Sequence, residues 1–183
     1  MTHPLHLAAA ATIVFSVAAN AAVITVGGGY AQSCSLAAGA QDAGRQAMDS
    51  CNRALTEEAL TPEERVATLV NRGILHLRRV NLREANADFD AALRLDQAEP
   101  EAWLNKAIVH ARFGNATNAL PLVQKALQLK TRRPALAYFV RAMALEDSGN
   151  IPGAYRDLRR AQALEPGWKE PEIELRRFKV GQL

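Results

Sequence analysis

Acidic and basic side chains are missing from the start of the chain: the first of either sign is Asp42. Aromatic residues are few (5 Phe, 3 Tyr, 2 Trp), and Val plus Ile number 17 against 35 Ala and 22 Leu. This scarcity of β-branched and aromatic side chains excludes an all-β fold and a parallel sheet with Val/Ile-rich buried strands, whereas Ala and Leu favour helix. With 49% hydrophobic and 22% charged residues the chain is not of the disordered class. Its net charge of +3, from 22 basic against 19 acidic residues, is too small to argue for a nucleic-acid partner. At 183 residues it has the length of one domain, or of one domain and a processed leader.

The uncharged start is apolar from Leu7 to Val26 and is followed by the small-residue patterns Ala19-Asn20-Ala21 and Gly29-Tyr30-Ala31. That layout reads as a secretory signal peptide over residues 1–31, although His3 and His6 stand where Lys or Arg is usual. About twenty apolar residues also suffice to span a bilayer, so an uncleaved N-terminal anchor is the competing expectation. The expected location is periplasmic or secreted, with membrane attachment through the leader as the alternative. Gly27-Gly28-Gly29 is not followed by the Lys-Ser/Thr of a phosphate loop.

Only Cys34 and Cys51 carry thiols. An even, minimal count in an exported chain favours one disulfide, with two separate buried thiols as the alternative. On one straight helix, 17 residues at 1.5 Å each would hold them about 25 Å apart, so a bridge requires a turn between them. Gly39, Asp42 and Gly44 supply turn chemistry there.

The strongest signal is a period. Segments starting at Val70, Leu104 and Phe139 align without gaps, 34 and then 35 residues apart, which marks a stacked repeat. Small residues recur on a first helix (Gly73, Ala107, Ala142) and on a second (Ala85, Ala119, Ala154). Apolar knobs Phe89, Val123 and Leu158 follow, with Ala92, Ala126 and Ala161 one turn on. Asn81, Asn115 and Asn150 fall where each second helix needs an N-cap. The pattern resembles the tetratricopeptide repeat family: Trp103 and Tyr138 take the opening aromatic slot, Leu69 stands there in the first unit, and Gly73, the Ala85/Phe89 pair and Pro166 fill later slots. His76, His110 and Leu145 replace the usual Tyr, Arg72, Lys106 and Arg141 the usual Leu, and Gln97 and Thr131 the usual Pro. The resemblance implies an all-α, right-handed helix-turn-helix solenoid of an exported, bacterial-type member. It has about three units, a degenerate N-terminal hairpin and a C-terminal capping helix.

The flanks extend this plan. Ala47, Cys51 and Ala54 repeat the spacing of Ala85, Phe89 and Ala92, so residues 32–65 read as a degenerate hairpin, with Cys34 in the register of Arg72. Three units follow over 66–99, 100–134 and 135–168, then a capping helix and tail over 169–183. Thr61-Pro62-Glu63-Glu64 is a helix start with a capping box.

No nucleophile–base arrangement is visible, so no catalytic residue, cofactor or metal is expected. His76 and His110 share a repeat slot without further ligands and read as packing residues. Asp88 and Asp90, two apart on a helix, read as a solvated face. Arg156, Arg159, Arg160, Arg176, Arg177 and Lys179 make the C-terminal part basic but are interleaved with acids. In the resembled family the first helices line the concave surface, and some members hold peptide C-termini there through Lys, Arg and Asn. The corresponding sites here are largely apolar, which argues against such a clamp. Val70, Ile74, Leu77, Leu104, Ile108, Phe139 and Met143, with Arg112, form the expected partner-binding stripe, to be weighed against ordinary inter-helix core. The function expected is an exported scaffold or adaptor that binds a protein or peptide. The alternatives are an accessory factor of an envelope or glycan-processing enzyme complex and a purely structural subunit. Oligomeric state stays open.

Overall fold

A computed structural model describes residues 29–40 and 42–178, so most of the expected leader, with its Ala19-Asn20-Ala21 pattern, lies outside the described residues. The described residues form helices only, paired as hairpins. These are α1 (Tyr30–Gly39) with α2 (Arg45–Glu57), α3 (Pro62–Arg78) with α4 (Leu82–Leu95), α5 (Pro100–Arg112) with α6 (Ala116–Gln128), and α7 (Pro134–Asp147) with α8 (Ile151–Leu164). A short α9 (Lys169–Leu175) closes the stack. The expected limits at residues 32 and 65 fall inside α1 and α3.

Local chemistry explains where the helices start. Thr61 and Glu64 form a reciprocal capping box, Glu64 N–H donating to Thr61 Oγ1 at 3.2 Å and Thr61 N–H to Glu64 Oε2 at 2.9 Å, with Pro62 in the first turn. Only one of the three Asn caps forms as expected: Gly153 N–H donates to Asn150 Oδ1 at 3.0 Å, while Asn81 and Asn115 make no side-chain cap bond. A Cβ at Gly153 would stand 2.8 Å from Asn150 Oδ1. At that third helical position the other two units carry Glu84 and Asn118.

Within each hairpin the small and large slots are matched. Phe89, Val123 and Leu158 are fully buried, as are the second-helix alanines on either side of them. A Cβ at Gly73 would meet the Phe89 ring at 2.5 Å. Gly therefore stands where the knob is Phe, and Ala107 and Ala142 stand where it is the smaller Val or Leu. Packing joins each first helix to its partner, to the second helix before it and to the next first helix: α3 touches α5, and α5 touches α7. No comparable packing joins α4 to α6 or α6 to α8. The first helices thus form the inner side of the curved stack. The capping end closes with Trp168, Leu175 and Phe178 on the cluster of Phe139, Met143 and Leu158, with Phe139 and Trp168 ring centres 4.9 Å apart.

Cys34 on α1 and Cys51 on α2 are joined by a disulfide, Cα atoms 4.8 Å apart, and pack against Leu75. The turn that this requires lies between the two helices, where Gly44 N–H donates to Asp42 Oδ1 at 2.8 Å. No helix among the described residues is long and apolar enough to cross a membrane.

Candidate functional site

The first-helix stripe is not the open apolar surface expected of it. Val70, Ile74, Leu77, Leu104 and Ile108 are buried in the main core, and Phe139 and Met143 in the cluster at the capping end; of the eight residues only Arg112 keeps partial exposure. The physical reason is the enclosure of each first helix: positions spaced i, i+4, i+7 that exceed the needs of one hairpin are taken up by the neighbouring hairpin or, for Phe139 and Met143, by the capping end. Only Leu36 on α1, in the register of Ile74, remains strongly exposed.

The acids of α4 also depart from expectation. Asp88 is buried and accepts two hydrogen bonds from Arg72, Nε to Oδ2 at 2.9 Å and Nη2 to Oδ1 at 2.6 Å, while Arg72 Nη1 donates to Asn52 Oδ1 at 2.9 Å. Asp157 does the same for Arg141, at 2.6 and 2.8 Å. In the middle unit Leu122 replaces the acid, and Lys106 instead pairs with Asp90 of the preceding hairpin. The side chains at the family's Leu slot are therefore bidentate staples across a hairpin, or one staple between hairpins. A two-residue offset sends Asp88 inward to its own hairpin and Asp90 to the next.

His76 and His110 sit half-buried, and burial lowers the pKa of both below the usual imidazole value. His76 Nε2 lies 3.9 Å from Asp88 Oδ2. Among the described residues no three His, Cys, Asp or Glu side chains gather as metal ligands.

What the inner side does carry is a polar row. Asn71 and Arg78 on α3 recur as Asn105 and Arg112 on α5, one helical face seven residues apart. Asn71 is fully buried, with neither amide atom hydrogen-bonded among the described residues. Asn105 donates to Glu101 O at 2.8 Å. The two arginines reach back to the last turn of the preceding first helix: Arg78 Nη2 donates to Ala38 O at 2.7 Å and Arg112 Nη1 to Leu77 O at 2.8 Å. Cations at helix C-termini are favoured by the helix dipole. Glu101, wholly buried, accepts through Oε1 from Thr131 Oγ1 at 2.8 Å and from Arg132 N–H at 2.7 Å, which ties α5 to the loop before α7. Arg133, next in that loop, is only 8% exposed. The 34-residue recurrence of Asn71/Asn105 and Arg78/Arg112 was the signal available for this row; Glu101 and Arg133 have no such signal.

At the other end, Arg156, Arg159 and Arg160 are exposed on α8, because the intervening Asp157 turns inward to Arg141. Arg176 and Arg177 are paired with Glu172 and with Glu174 and Glu146. Lys179 lies outside the described residues.

These features define the class: an all-α helix-hairpin solenoid of the tetratricopeptide type, with an N-terminal hairpin and a capping helix flanking three units. Two solved structures share the fold, MamA residues 41 to the end from Desulfovibrio magneticus RS-1 and a double mutant titled MamA RS-1 ArsTM. Each has a TM-score of 0.64 at 18% identity, over 80% of this chain and 79% of the other. No protein-family model matches the chain, and no curated protein matches it significantly.

Proposed function

We propose that this chain is an exported adaptor that binds a protein or peptide partner on the inner side of its solenoid and carries no catalysis of its own. The observation that carries the reading is the continuous face formed by α3, α5 and α7, whose apolar positions are used up in packing while Arg78 and Arg112, both partly exposed, recur on it 34 residues apart. Solenoids of this kind recognise partners through such extended inner surfaces. Specificity then comes from a few polar groups set in a rigid frame and not from the apolar stripe. The uncharged leader supports export, and so does the Cys34–Cys51 bridge, since disulfides persist in oxidising compartments.

The test is site-specific photocrosslinking in cells, with the crosslinker at Ala111 on the inner side or at Gln124 on the outer face of α6. A discrete partner captured from Ala111 and not from Gln124 is expected; equal capture from both, or none from Ala111, rejects the reading. Intact mass of the native protein tests export separately, with retention of Met1 in a membrane-embedded species supporting the anchor.

A further inference from the structure

Along the chain the arginines of α8 alternate with acids, but the fold separates the two. Asp157 turns inward to Arg141, and on α9 Glu172 pairs with Arg176 and Glu174 with Arg177. No ion pair among the described residues involves Arg156, Arg159 or Arg160; their one side-chain hydrogen bond there runs from Arg159 Nη1 to the neutral Gln162 Oε1, at 3.3 Å. At about 100° per residue, Pro152, Arg156, Arg159, Arg160 and Ala163 fall within an arc of about the same width, and all five are exposed. Asp157 lies outside that arc. The exposed row therefore holds three cations, two small apolar residues and no carboxylate.

Packing does not require this row. The buried side of α8, with Ala154, Leu158 and Ala161, is what meets the rest of the capping cluster. In the slots of Arg156, Arg159 and Arg160, α4 carries Ala87, Asp90 and Ala91, and α6 carries Pro121, Gln124 and Lys125, so the cationic row belongs to the last hairpin alone among the three units. Because the first helices line the inner side of the curved stack, the row lies on its outer, convex side. A convex face encloses no ligand and meets a plane along its length, so it suits charge spread over an extended surface better than a single anionic group. A bilayer with anionic headgroups is such a surface: its negative potential attracts clustered arginines, and the guanidinium fork matches two oxygens of a phosphodiester. On either reading of the apolar leader, signal or anchor, the chain crosses a membrane or stays at one.

We infer that Arg156, Arg159 and Arg160 form a docking surface for anionic phospholipid headgroups on the outer face of α8. The surface is opposite the inner face, so membrane contact leaves that face free for a partner. The inference does not depend on the adaptor reading.

Sedimentation with sucrose-loaded vesicles measures partitioning of the full chain, once with phosphatidylcholine alone and once with phosphatidylcholine and phosphatidylglycerol in equal parts. The leader has no acidic or basic side chain and contributes to both, so the ratio of the two partition coefficients reads the charged face. The parent should prefer the phosphatidylglycerol vesicles, and R156Q/R159Q/R160Q should cut the ratio by about tenfold or more. A control, R45Q/R94Q/K125Q, removes one exposed cation from each of α2, α4 and α6 and should keep most of the preference. Both variants take the formal net charge from +3 to 0, so net charge alone does not separate them. Salt at about 0.5 M, which shortens the screening length to ~4 Å, should abolish the preference. No preference in the parent, a preference that the α8 variant retains, or equal losses in the two triple variants overturns the inference. So does a parent that binds soluble polyglutamate without preferring anionic vesicles, which assigns the row to an acidic protein. Circular dichroism checks folding; if the α8 triple variant does not fold, R156Q, R159Q and R160Q are read singly in its place, lower ratios supporting the surface and unchanged ratios rejecting it.

Discussion

Replacing Arg72 and Asp88 one at a time should give unequal costs, and the inequality is set by where each charge is left. Arg72→Leu strands Asp88, whose side chain is 7% exposed and loses both charge-assisted bonds; His76 Nε2, 3.9 Å away, has its pKa lowered by burial and supplies no replacing charge at neutral pH. Breaking a buried pair from one side costs about 3 to 5 kcal/mol when the remaining charge is fully desolvated. Arg72 is 24% exposed, so water already screens one end of the pair, and about 2 to 3 kcal/mol is expected. Asp88→Leu strands Arg72 instead, which keeps Asn52 Oδ1 at 2.9 Å and its access to water, and the cost should fall to about 1 kcal/mol or less. The double variant places Leu in both slots, as Leu122 already fills the acid's slot in the middle unit, and should lie within about 1 kcal/mol of the parent because no charge is left buried. At about 2 to 4 °C per kcal/mol for a chain of this size, Arg72→Leu should lower Tm by roughly 4 to 12 °C and Asp88→Leu by under 4 °C. Urea titration followed by circular dichroism at 222 nm gives the free energies directly. Equal costs for the two single variants, or a double variant as unstable as their sum, would show that the staple contributes packing and not paired charge.

Other perturbations follow from single features. Val80 holds φ 61° at the hairpin tip where the next two units carry Gly114 and Gly149, so Val80→Gly should stabilise the chain by about 1 kcal/mol, seen as a Tm rise of roughly 2 to 4 °C; a fall in Tm would contradict the strain. Ile74→Asp should destabilise as severely as Phe89→Ala, by about 3 to 5 kcal/mol, because both sites are core; a folded Ile74→Asp protein of near-parental Tm would reopen the stripe as surface. His76 and His110 have folded pKa values below 6.5, so the unfolded chain binds protons that the folded chain refuses. Their contribution is complete above pH 6.5 and is lost as pH falls through that value. Glu99 and Glu146, raised above 4.5 by burial, act the other way, so the histidine share is read as a shallower decline of Tm between pH 7 and 5 in H76Q/H110Q. A chain starting at Gln32 lacks the Tyr30 and Ala31 amides that donate to Glu58 at 2.6 and 3.0 Å, and should be about 2 kcal/mol less stable in urea than one starting at Ala22. Equal midpoints would show that those bonds add nothing to stability.

The repeat was legible because period and volume are written directly in the chain: a small residue, a knob and a second small residue at fixed offsets require no knowledge of the fold. The Thr61–Glu64 box and the turn between the cysteines were legible for the same local reason. Failure came where assignment depended on a neighbour. Ile74 and Phe139 exceed what one hairpin needs, and what consumes them lies outside it: the main core shared with the next hairpin for Ile74, and Trp168 at the capping end for Phe139. Asp88 reads as a surface acid on its own helix, yet Arg72 with Asp88 and Arg141 with Asp157 recur together while Lys106 stands opposite Leu122, a paired change of charge that marks a contact. The capping roles of Asn81 and Asn115 failed, although the same residue type caps at Asn150.

The middle unit differs from its neighbours in a way that bears on the inner face. In the first and third units the ionic staple closes within a hairpin and adds to that hairpin's own stability. In the second it is moved outward: Lys106 binds Asp90 of the hairpin before, and buried Glu101 binds Thr131 and Arg132 of the loop after. In a solenoid, stability is a sum of terms within repeats and terms between them, and it is the latter that fix the rotation from one repeat to the next. Moving polar contacts from within α5–α6 to both of its boundaries therefore spends their directionality on the relative placement of α3, α5 and α7. The departures from the usual repeat pattern at positions 106, 122 and 131 are thus what move the polar contacts of the middle repeat to its two boundaries.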